Sequence, residues 1–472
     1  MFNSIHEECG VFGIFEPNKT NVAKTTYFGL YALQHRGQEA CGIVTCDDGV
    51  FRLEKGVGLV SDVFNKDNLK AIDDANMALG HVRYSTTGGN NINNVQPLVV
   101  RHIKGNLALV HNGNLTNADE IRKSFELNGA IFHATSDTED IAYQIVKERL
   151  DSPSIEEAIK RSMTKIEGAY SCIAMSPTKL IAFRDKYGFR PLCLGKTKTG
   201  GYIVASESCA IDSVDGQFIR DIAPGEILTI SSEGLKSEYI KSDKTSLCVF
   251  EFIYFSRPDS IIEGASVHQA RLNAGKILAL ESPVDADIVI GVPDSGIDAA
   301  IGYSMESKIP YGIGFVKNKY MGRSFIKPTQ EERQNTVKIK LNVIKETVKD
   351  KRVILIDDSI VRGTTSAHII KLLKDSGAKE VHLRISSPAF KHPCYFGTDI
   401  DSEENLIACK YENVDDIAKF IGADSLAYLS IEGAHKLALT KCNFCDACFS
   451  GNYPLKIKNT NYKNKFEEKI NK

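Results

Sequence analysis

The chain has 472 residues, of which 42% are hydrophobic and 25% are charged, and its formal net charge is −2. These values match globular proteins and argue against a disordered chain, and the near-zero charge supplies no overall field for binding nucleic acid. No apolar run approaches the roughly 20 residues that span a bilayer, and residues 1–8 lack the apolar centre of a signal peptide. We therefore expect a cytoplasmic, two-domain protein with neither a membrane nor a nucleic-acid partner.

Short apolar runs separated by glycine turns fill residues 9–233. The runs that predict strands are CGVFGIF, ACGIVTC, MALGHVRYS, GNLALVHNG, YSCIAMS and KLIAFRD. Helical periodicity appears at residues 21–35 and again from Asp137, and a further helix follows from Ser154. The apolar residues predicted to share one face of the Asp137 helix are Ile141, Ile145, Val146 and Leu150. This half is predicted to contain sheets with helices packed outside.

The polar stretch SSEGLKSEYIKSDKTS separates this half from the rest. We place the linker at residues 234–246, between domains at 9–233 and 247–451. Strands and helices then alternate in the order DIVIGVP, DAAIGYSMES, IPYGIGFV, RVILIDD, TSAHIIKLLKDSG and EVHLRIS, which is typical of an α/β domain with a parallel sheet. The tail at 452–472 is rich in lysine and asparagine and is expected to fray.

The segment VILIDDSIVRGTTSAHIIKLL predicts a strand, a small-residue turn and an amphipathic helix. The N–H groups of such a turn and the helix dipole favour an anion, and three hydroxyls can add hydrogen bonds to a phosphate; they belong to Thr364, Thr365 and Ser366. Asp357 and Asp358 end the strand, where carboxylates suit ribose hydroxyls and Mg²⁺. The alternative interpretation is a plain strand end with a solvated acidic pair and a capped helix.

Two nearby segments extend this candidate phosphate site. GVPDSG also ends a strand and opens a helix, so Ser295 could hold pyrophosphate or its metal, although by itself the segment is only a turn. The basic stretch VKNKYMGRSFIKPTQEERQNTVKIK predicts a mobile lid that closes over a polyanion through Lys317, Lys319 and Arg323, with a solvated surface loop as the alternative.

The segment VILIDDSIVRGTTSAHIIKLL, with its apolar run, paired acids and hydroxyl-rich turn, resembles the phosphoribosyl pyrophosphate signature of type I phosphoribosyltransferases. The resemblance implies that Arg362 and Gly363 also bind this substrate. It further implies one Mg²⁺ per subunit, held by Ser295, Asp357 and Asp358.

Cys9 begins the first predicted strand, where a cysteine is usually an inert small hydrophobe. Other motifs change this interpretation, because HVRYSTTG contains Arg83, HNGNL contains Asn112 and Gly113, and TSDTED contains Asp137. With LQHRGQEACGI, these motifs resemble the glutamine amidotransferases of the N-terminal nucleophile (Ntn) class. The resemblance implies an Ntn hydrolase αββα sandwich.

The same resemblance assigns a role to each of these residues. A cysteine with a free α-amino group, which titrates at about pH 8, carries its own general base and attacks the glutamine carboxamide. The Asn112 side chain and the Gly113 amide would stabilise the oxyanion. Arg83 would bind the glutamine carboxylate and Asp137 its α-amino group.

The position of the nucleophile predicts processing. Cys9 is not residue two, so removal of methionine alone cannot expose its amino group. Residues 1–8 are therefore predicted to be a propeptide that is removed by self-cleavage before Cys9.

The segment KCNFCDACFSG contains Cys442, Cys445 and Cys448. The twelve cysteines of the chain are irregularly spaced, and the chain is far longer than a disulfide-stapled miniprotein, which favours thiols or metal ligands over disulfides. Zinc and a cubane iron–sulfur cluster would each need a fourth ligand, and the spacing alone does not choose between them.

An amidotransferase half joined to a phosphoribosyltransferase half resembles the glutamine phosphoribosylpyrophosphate amidotransferase family over nearly the whole chain. The resemblance implies transfer of glutamine ammonia to phosphoribosyl pyrophosphate, giving 5-phosphoribosylamine, glutamate and pyrophosphate in the first step of purine biosynthesis. It also implies activation of the glutaminase by phosphoribosyl pyrophosphate, feedback inhibition by purine nucleotides and a homotetramer. One [4Fe-4S] cluster per subunit is implied, with Cys442 left over as an extra thiol and the ligands Cys248, Cys394, Cys445 and Cys448.

Two other functions compete with this interpretation. An aminosugar-forming amidotransferase shares the chemistry of the first half but lacks the DDSIVRGTTS loop. A regulatory protein that only senses phosphoribosyl pyrophosphate would need neither Cys9 nor Arg83, and it would usually carry a nucleic-acid module, of which the sequence shows no sign.

Overall fold

The computed structural model describes residues 9–84, 91–242, 244–318, 341–400 and 402–457. The strands of the N-terminal domain are β1 (Gly10–Thr20), β2 (Ala40–Asp47), β3 (Val50–Val57), β4 (Ala75–Arg83), β5 (Leu98–His102), β6 (Gly105–Leu115), β7 (Gly168–Met175), β8 (Leu180–Arg184), β9 (Cys193–Lys196), β10 (Tyr202–Ala205), β11 (Gln217–Asp221), β12 (Glu226–Ser231) and β13 (Gly234–Tyr239). Its α-helices are α1 (Val22–Ala32), α2 (Val60–Val63), α3 (Lys66–Ile72), α4 (Ala118–Glu126), α5 (Asp137–Asp151), α6 (Ile155–Met163) and α7 (Ser208–Asp212).

Two antiparallel sheets of the N-terminal domain pack face to face. One has the order β11-β9-β10-β1-β4-β2-β3 and the other β13-β12-β8-β7-β6-β5. Val11 and Leu79 of the first sheet meet Val110 and Ile173 of the second in a fully buried core. Helix α1 covers the outer face of the first sheet, and α5 and α6 cover the outer face of the second. These layers form the predicted αββα sandwich.

The C-terminal domain is built on a parallel sheet. Its strands and those of its small ribbons are β14 (Leu247–Cys248), β15 (Ile261–Ile262), β16 (Ala265–Ser266), β17 (Ile288–Gly291), β18 (Phe315–Lys317), β19 (Leu341–Val343), β20 (Arg352–Asp357), β21 (Glu380–Ile385), β22 (Ser425–Tyr428) and β23 (Phe444–Cys445). Its α-helices are α8 (Val267–Glu281), α9 (Gly296–Ser307), α10 (Lys345–Val348), α11 (Thr364–Asp375), α12 (Ile407–Lys410), α13 (Val414–Ile421), α14 (Ile431–His435) and α15 (Ala447–Ser450).

The order of the parallel sheet brings the candidate phosphate segments together. Strands β17, β20, β21 and β22 are neighbours in that order, and Gly291 pairs with Ile356. The carboxyl ends of parallel strands meet at one edge of the sheet, which is where open α/β folds bind ligands. The loops that follow β17 and β20 therefore lie side by side.

Part of the predicted linker is a strand. β13 pairs with β12 along its whole length, from Glu226 opposite Tyr239 to Ser231 opposite Gly234. Its polar sequence is compatible with a strand because β13 lies at the edge of its sheet, with Leu235 and Tyr239 exposed. The prediction that the linker begins at 234 is wrong, and the connection between the domains begins after Tyr239.

Three smaller predictions also need correction. IPYGIGFV does not join the parallel sheet as a full strand: it supplies an isolated bridge at Tyr311 and then β18, which pairs antiparallel with β19. The pairing with β17 is limited to the backbone hydrogen bonds on either side of Tyr311, Val289 N to the Pro310 carbonyl and Gly312 N to the Val289 carbonyl, each 2.9 Å. Leu150, which was predicted to lie on the apolar face of the Asp137 helix, is 52% exposed because it lies in the last turn of α5. The described part of the tail packs on an aromatic cluster through Tyr453, Leu455 and Ile457.

Within the described ranges, no helix is both long and apolar enough to cross a membrane.

Candidate active site

Cys9 lies immediately before β1, beside the end of β4. Its Sγ donates to the Tyr84 carbonyl oxygen at 3.6 Å, and its own carbonyl accepts a hydrogen bond from Arg36 Nε at 3.2 Å. Gly10 pairs with Val82, so Arg83, the last residue of β4, lies at the same end of these two neighbouring strands as Cys9. The structure thus brings the predicted nucleophile and the predicted carboxylate-binding arginine together at one end of the first sheet's central strands.

The predicted oxyanion residues lie on β6 of the facing sheet. Asn112 is 1% exposed, and its Nδ2 has no hydrogen-bond partner within the described part of the chain. An unpaired buried donor costs about 1–3 kcal/mol, so its presence is typical of a site that receives an acceptor. Gly113 has φ +141°, and a Cβ there would lie 2.1 Å from the Ala169 carbonyl oxygen, so no larger residue fits.

Two buried histidines join these residues to Asp137. His81 Nε2 lies 3.1 Å from the His111 carbonyl oxygen and so connects β4 to β6. His111 Nδ1 lies 3.5 Å from Asp137 Oδ1, and Leu115 N donates to Asp137 Oδ2 at 2.9 Å. Cys9, Arg83, Asn112, Gly113 and Asp137 therefore occur at one end of the sandwich.

The electrostatics of this end follow from burial. Burial opposes ionisation of Asp137, but His111 and the Leu115 N–H lower the pKa of Asp137 below its usual value. Burial lowers the pKa of His81 to about 3, so this imidazole is neutral. The sequence analysis gave no role to either histidine, although His81 lies in the HVRYSTTG motif and His111 in the HNGNL motif.

A cavity of about 620 Å³ lies where the loops after β17 and β20 meet. Predicted phosphate-site residues that line it are Ser295, Lys317, Asp357, Asp358, Arg362, Gly363, Thr365 and Ser366. Thr364 begins α11 but does not line the cavity, and Arg323 lies outside the described residues. Lining residues that the sequence analysis missed are His35, Gln38, Arg257 and Arg271, none of which lies in a phosphate-binding motif.

The acidic pair in this cavity is suited to a cation. Ser295 Oγ donates to Asp358 Oδ2, and Asp358 N donates to Asp357 Oδ1 at 2.9 Å. Burial, and then the Asp358 carboxyl, raise the pKa of Asp357 well above its usual value of 3.8. A bound divalent cation would remove this penalty, and Mg²⁺ is commonly bound by one or two carboxylates together with substrate phosphates.

The other side of the cavity is suited to a phosphate. The N-terminus of α11 opens there, with Gly363 as its N-cap. Thr365 Oγ1 is buried and has no hydrogen-bond partner among the described residues, so a donor is available to a phosphate oxygen.

A second, smaller cavity is lined by four thiols: those of Cys248, Cys394, Cys445 and Cys448. Burial, and then the thiols of Cys394, Cys248 and Cys445, raise the pKa of Cys448 well above its usual value. Phe396 N donates to Cys394 Sγ at 3.4 Å. Cys442 does not line this cavity and lies instead beside Glu263 and Arg184.

The four thiols are candidate ligands for a metal ion or an iron–sulfur cluster. Among the described residues, no three His, Cys, Asp or Glu side chains are close enough together to bind a single metal ion. Tetrahedral zinc would need its sulfurs within about 4 Å of one another, since each lies about 2.3 Å from the ion. A cubane iron–sulfur cluster also takes four thiolate ligands, which the four cavity-lining cysteines could supply.

A buried ion-pair network joins the two candidate sites across the domain interface. Arg36 donates to Glu207 Oε1 at 2.7 Å and to Glu251 Oε1 at 2.8 Å, and all three side chains are fully buried. Arg36 also binds the Cys9 carbonyl, while its neighbour His35 lines the phosphate cavity. The single turn Gln34–Arg36 therefore contacts both sites.

Comparison with known proteins identifies the family. A family model for the glutamine amidotransferase domain matches residues 81–213. The amidophosphoribosyltransferase of Archaeoglobus fulgidus is 46% identical over 453 residues, which cover 95% of this chain and 98% of that protein. The chain belongs to the amidophosphoribosyltransferase family. The amidophosphoribosyltransferase of Bacillus subtilis is likewise 46% identical over 460 residues, covering 96% of this chain and 95% of that protein.

Solved structures of amidophosphoribosyltransferases confirm the predicted fold. Glutamine phosphoribosylpyrophosphate amidotransferase from Bacillus subtilis, complexed with ADP and GMP, matches with a TM-score of 0.88 and 46% identity, over 95% of this chain and 98% of that one. A structure described as the allosteric regulatory enzyme of purine biosynthesis matches with a TM-score of 0.89 and 46% identity, over 95% and 97% of the two chains. The predicted combination of an Ntn domain and a phosphoribosyltransferase domain is therefore correct.

Proposed function

We propose that this amidophosphoribosyltransferase, an enzyme of the first step of purine biosynthesis, takes ammonia from glutamine at Cys9 and delivers it to phosphoribosyl pyrophosphate in the cavity around Asp357 and Asp358. The products are 5-phosphoribosylamine, glutamate and pyrophosphate. The observation that carries the proposal is the turn Gln34–Arg36, in which Arg36 binds the Cys9 carbonyl at 3.2 Å and His35 lines the acceptor cavity. The turn therefore lies between the two sites, where ammonia has to pass.

The glutamine half-reaction begins once residues 1–8 have been removed by self-cleavage. The freed α-amino group of Cys9 takes the thiol proton, and the thiolate attacks the carboxamide carbon. The unpaired Nδ2 of Asn112 and the N–H of Gly113 stabilise the oxyanion. The α-ammonium group returns this proton to the departing nitrogen, ammonia leaves, and water hydrolyses the glutamyl thioester to glutamate.

Two side chains hold the glutamine in place for this attack. Arg83 binds its carboxylate and Asp137, kept ionised by His111, binds its α-amino group.

The acceptor half-reaction uses the parallel-sheet domain. The N-terminus of α11 binds a phosphate through backbone N–H groups, among them that of Thr364, and through the hydroxyls of Thr365 and Ser366, with Gly363 shaping the turn. Lys317, Arg362 and, from the segment outside the described residues, Arg323 neutralise the polyanion. Ser295, Asp357 and Asp358 would hold one Mg²⁺ per subunit, which neutralises the departing pyrophosphate. Ammonia then displaces pyrophosphate from the anomeric carbon.

The four cavity-lining cysteines are proposed to ligate one [4Fe-4S] cluster per subunit. Support comes from their common cavity and from the position of Cys442 beside Glu263, away from it. Held by these cysteines, a cluster would cross-link the paired segments that contain Cys248 and Cys445 to the loop of Cys394.

We propose that purine nucleotides regulate this enzyme. The Bacillus subtilis structure contains ADP and GMP, and we therefore expect such nucleotides to inhibit the enzyme. From the family resemblance we also expect phosphoribosyl pyrophosphate to activate the glutaminase and four subunits to assemble into a homotetramer.

Glutaminase activity with and without phosphoribosyl pyrophosphate tests the proposal. The wild type should be stimulated by the second substrate, Cys9→Ala should lose glutamine turnover, and Cys409→Ala, which changes an exposed cysteine elsewhere, should match the wild type. Mass spectrometry of the active enzyme should find Cys9 as its first residue. Full activity in a chain that keeps Met1 would refute the propeptide, and glutamine turnover by Cys9→Ala would refute the nucleophile.

A further inference from the structure

The cysteine-lined cavity is adjacent to the proposed oxyanion site. The loop at residues 394–398 begins with Cys394 in the C-terminal domain and lies against the end of β6 in the N-terminal domain. Asn114 Nδ2 donates to the Tyr395 carbonyl oxygen at 3.1 Å, a contact between residues 281 positions apart. The next residue, Phe396, stacks on Phe189 with ring centroids 4.2 Å apart. One loop therefore contacts both the thiol cavity and the glutaminase domain.

Gly397 lies against the backbone of Gly113 in this contact. It has φ +116°, and a Cβ there would lie 3.3 Å from the carbonyl carbon of Gly113 and 3.3 Å from Arg190 Nη2. Gly113 has little room to move away from the loop, because on its other side it pairs with Tyr170 of β7 and lies close to Ala169. The peptide of Gly113 is thus held between β7 and the loop at 394–398.

The loop is itself held at two points. Arg190, which is fully buried, donates to the Phe396 carbonyl oxygen through Nη2 at 2.8 Å and Nε at 3.1 Å, and to Thr398 Oγ1 at 3.3 Å. The second point is Cys394, whose Sγ faces the other cavity thiols and accepts the N–H of Phe396. A cluster bound to Cys394 would fix the start of the loop.

We infer that Asn114 and Gly397 are positioning residues for the glutamine half-reaction: they seat the loop of Cys394 against the backbone of Gly113 and so set the geometry of the oxyanion site that Gly113 forms with Asn112. The inference rests on the proposed roles of Asn112 and Gly113 and on the proposed ligation by Cys394. An oxyanion is stabilised only by donors within about 2.7–3.1 Å of it, so a displacement of a few tenths of an ångström at Gly113 weakens transition-state binding. Glutamine binding in the ground state does not depend on these donors.

Gly397→Ala in the full, cluster-loaded enzyme is the first test. The glutaminase kcat should fall by at least about 10-fold while the KM for glutamine stays within about 2-fold, because the lost interaction exists only in the transition state. Ammonia-dependent synthesis of phosphoribosylamine, which bypasses the oxyanion site, should be unchanged. Iron and sulfide per subunit should equal those of the wild type.

Gly234→Ala is the matched control, since Gly234 has φ +103° but no atom within 4 Å of the added Cβ. It introduces similar backbone strain without the contact and should leave both activities unchanged. Asn114→Ala is the milder second variant, expected to lower glutaminase kcat by about 3-fold because one hydrogen bond to the loop is lost. It tests the inference if Gly397→Ala does not fold.

Hydrogen exchange provides a readout apart from activity. Backbone amides at residues 112–115 should exchange faster in Gly397→Ala and in wild type stripped of iron by an anaerobic chelator, but not in Gly234→Ala. Unchanged exchange in the first two proteins, or equal losses of glutamine-dependent and ammonia-dependent synthesis in both positioning variants, would overturn the inference. Absence of any glutamine turnover in the wild type would instead refute the proposed function.

Discussion

Arg36 Nη2 donates a hydrogen bond to Glu251 Oε1 at 2.8 Å, and both side chains are fully buried where the two domains meet. Arg36 lies just after α1, whereas Glu251 lies just after β14. Since the same guanidinium binds the Cys9 carbonyl, the pair connects the nucleophile to the C-terminal domain. Removing one partner of such a pair leaves an uncompensated buried charge, which is strongly destabilising.

Replacing Glu251 should therefore destabilise the enzyme strongly. Glu251→Gln leaves the buried Arg36 and the nearby Arg190 without this carboxylate, and should lower the free energy of unfolding by about 3 kcal/mol. Urea unfolding followed by circular dichroism measures the change. Glu157→Gln is the control, because Glu157 forms an exposed pair with Arg161 and should cost under about 1 kcal/mol. Equal losses in the two variants would contradict the role of the buried pair.

The same network predicts acid lability. Burial by itself raises the pKa of Glu207, but His35 and Arg36 hold that pKa below its usual value of 4.5. The folded enzyme then binds fewer protons in acid than the unfolded chain does. The stabilisation is fully present above pH 4.5 and is lost as the pH falls below it. Unfolding midpoints from pH 7 to pH 3 should fall more steeply in the wild type than in Glu207→Gln, and parallel curves would exclude this contribution.

Asn112→Ala should remove one oxyanion donor. The glutaminase kcat should fall by about 10²–10³-fold with little change in the KM for glutamine, since the donor acts on the transition state. Ammonia-dependent synthesis should persist. Asn106→Ala changes an asparagine on the same strand that binds the Gly49 carbonyl instead, and it should remain active. A large rise in KM without a loss of kcat would point to a ground-state binding role for Asn112.

The cysteines of the C-terminal segment should differ in their effect on the cluster. Cys448→Ser removes a cavity thiol and should abolish iron and sulfide binding in anaerobically purified protein, together with visible absorbance. Cys442→Ser should keep full iron and sulfide, because its thiol lies beside Glu263. The assignment of ligands would be wrong if the two variants behaved in the opposite way.

The acidic pair predicts a metal requirement confined to the acceptor reaction. Removal of Mg²⁺ by EDTA should abolish phosphoribosylamine formation from ammonia, whereas basal glutamine hydrolysis without phosphoribosyl pyrophosphate should continue. Asp358→Asn should lower ammonia-dependent synthesis at least about 10-fold and raise the Mg²⁺ concentration needed for half activity. Asp375→Asn, an exposed change at the end of α11, should have no effect. Synthesis that continues at full rate in EDTA would exclude the metal.

Local sequence patterns were sufficient to predict many of the strands and helices. The apolar run, the carboxylates Asp357 and Asp358 and the turn before α11 are contiguous, so their structure depends on neighbours in sequence and was predicted correctly. The edge strand β13 was missed because a strand with an exposed side tolerates a polar sequence. His35, Arg257 and Arg271 could not be assigned to the acceptor cavity, since they come from three separate segments.

By itself, the sequence determined the family, the succession of the two domains and the chemical groups available at each site, because motifs record which side chains follow which strands. Only the tertiary structure decided that Arg36 contacts both Cys9 and Glu251, that Gly397 lies against Gly113, and that Cys442 lies beside Glu263. Such contacts join residues far apart in the chain, and they depend on how whole layers pack rather than on any local pattern.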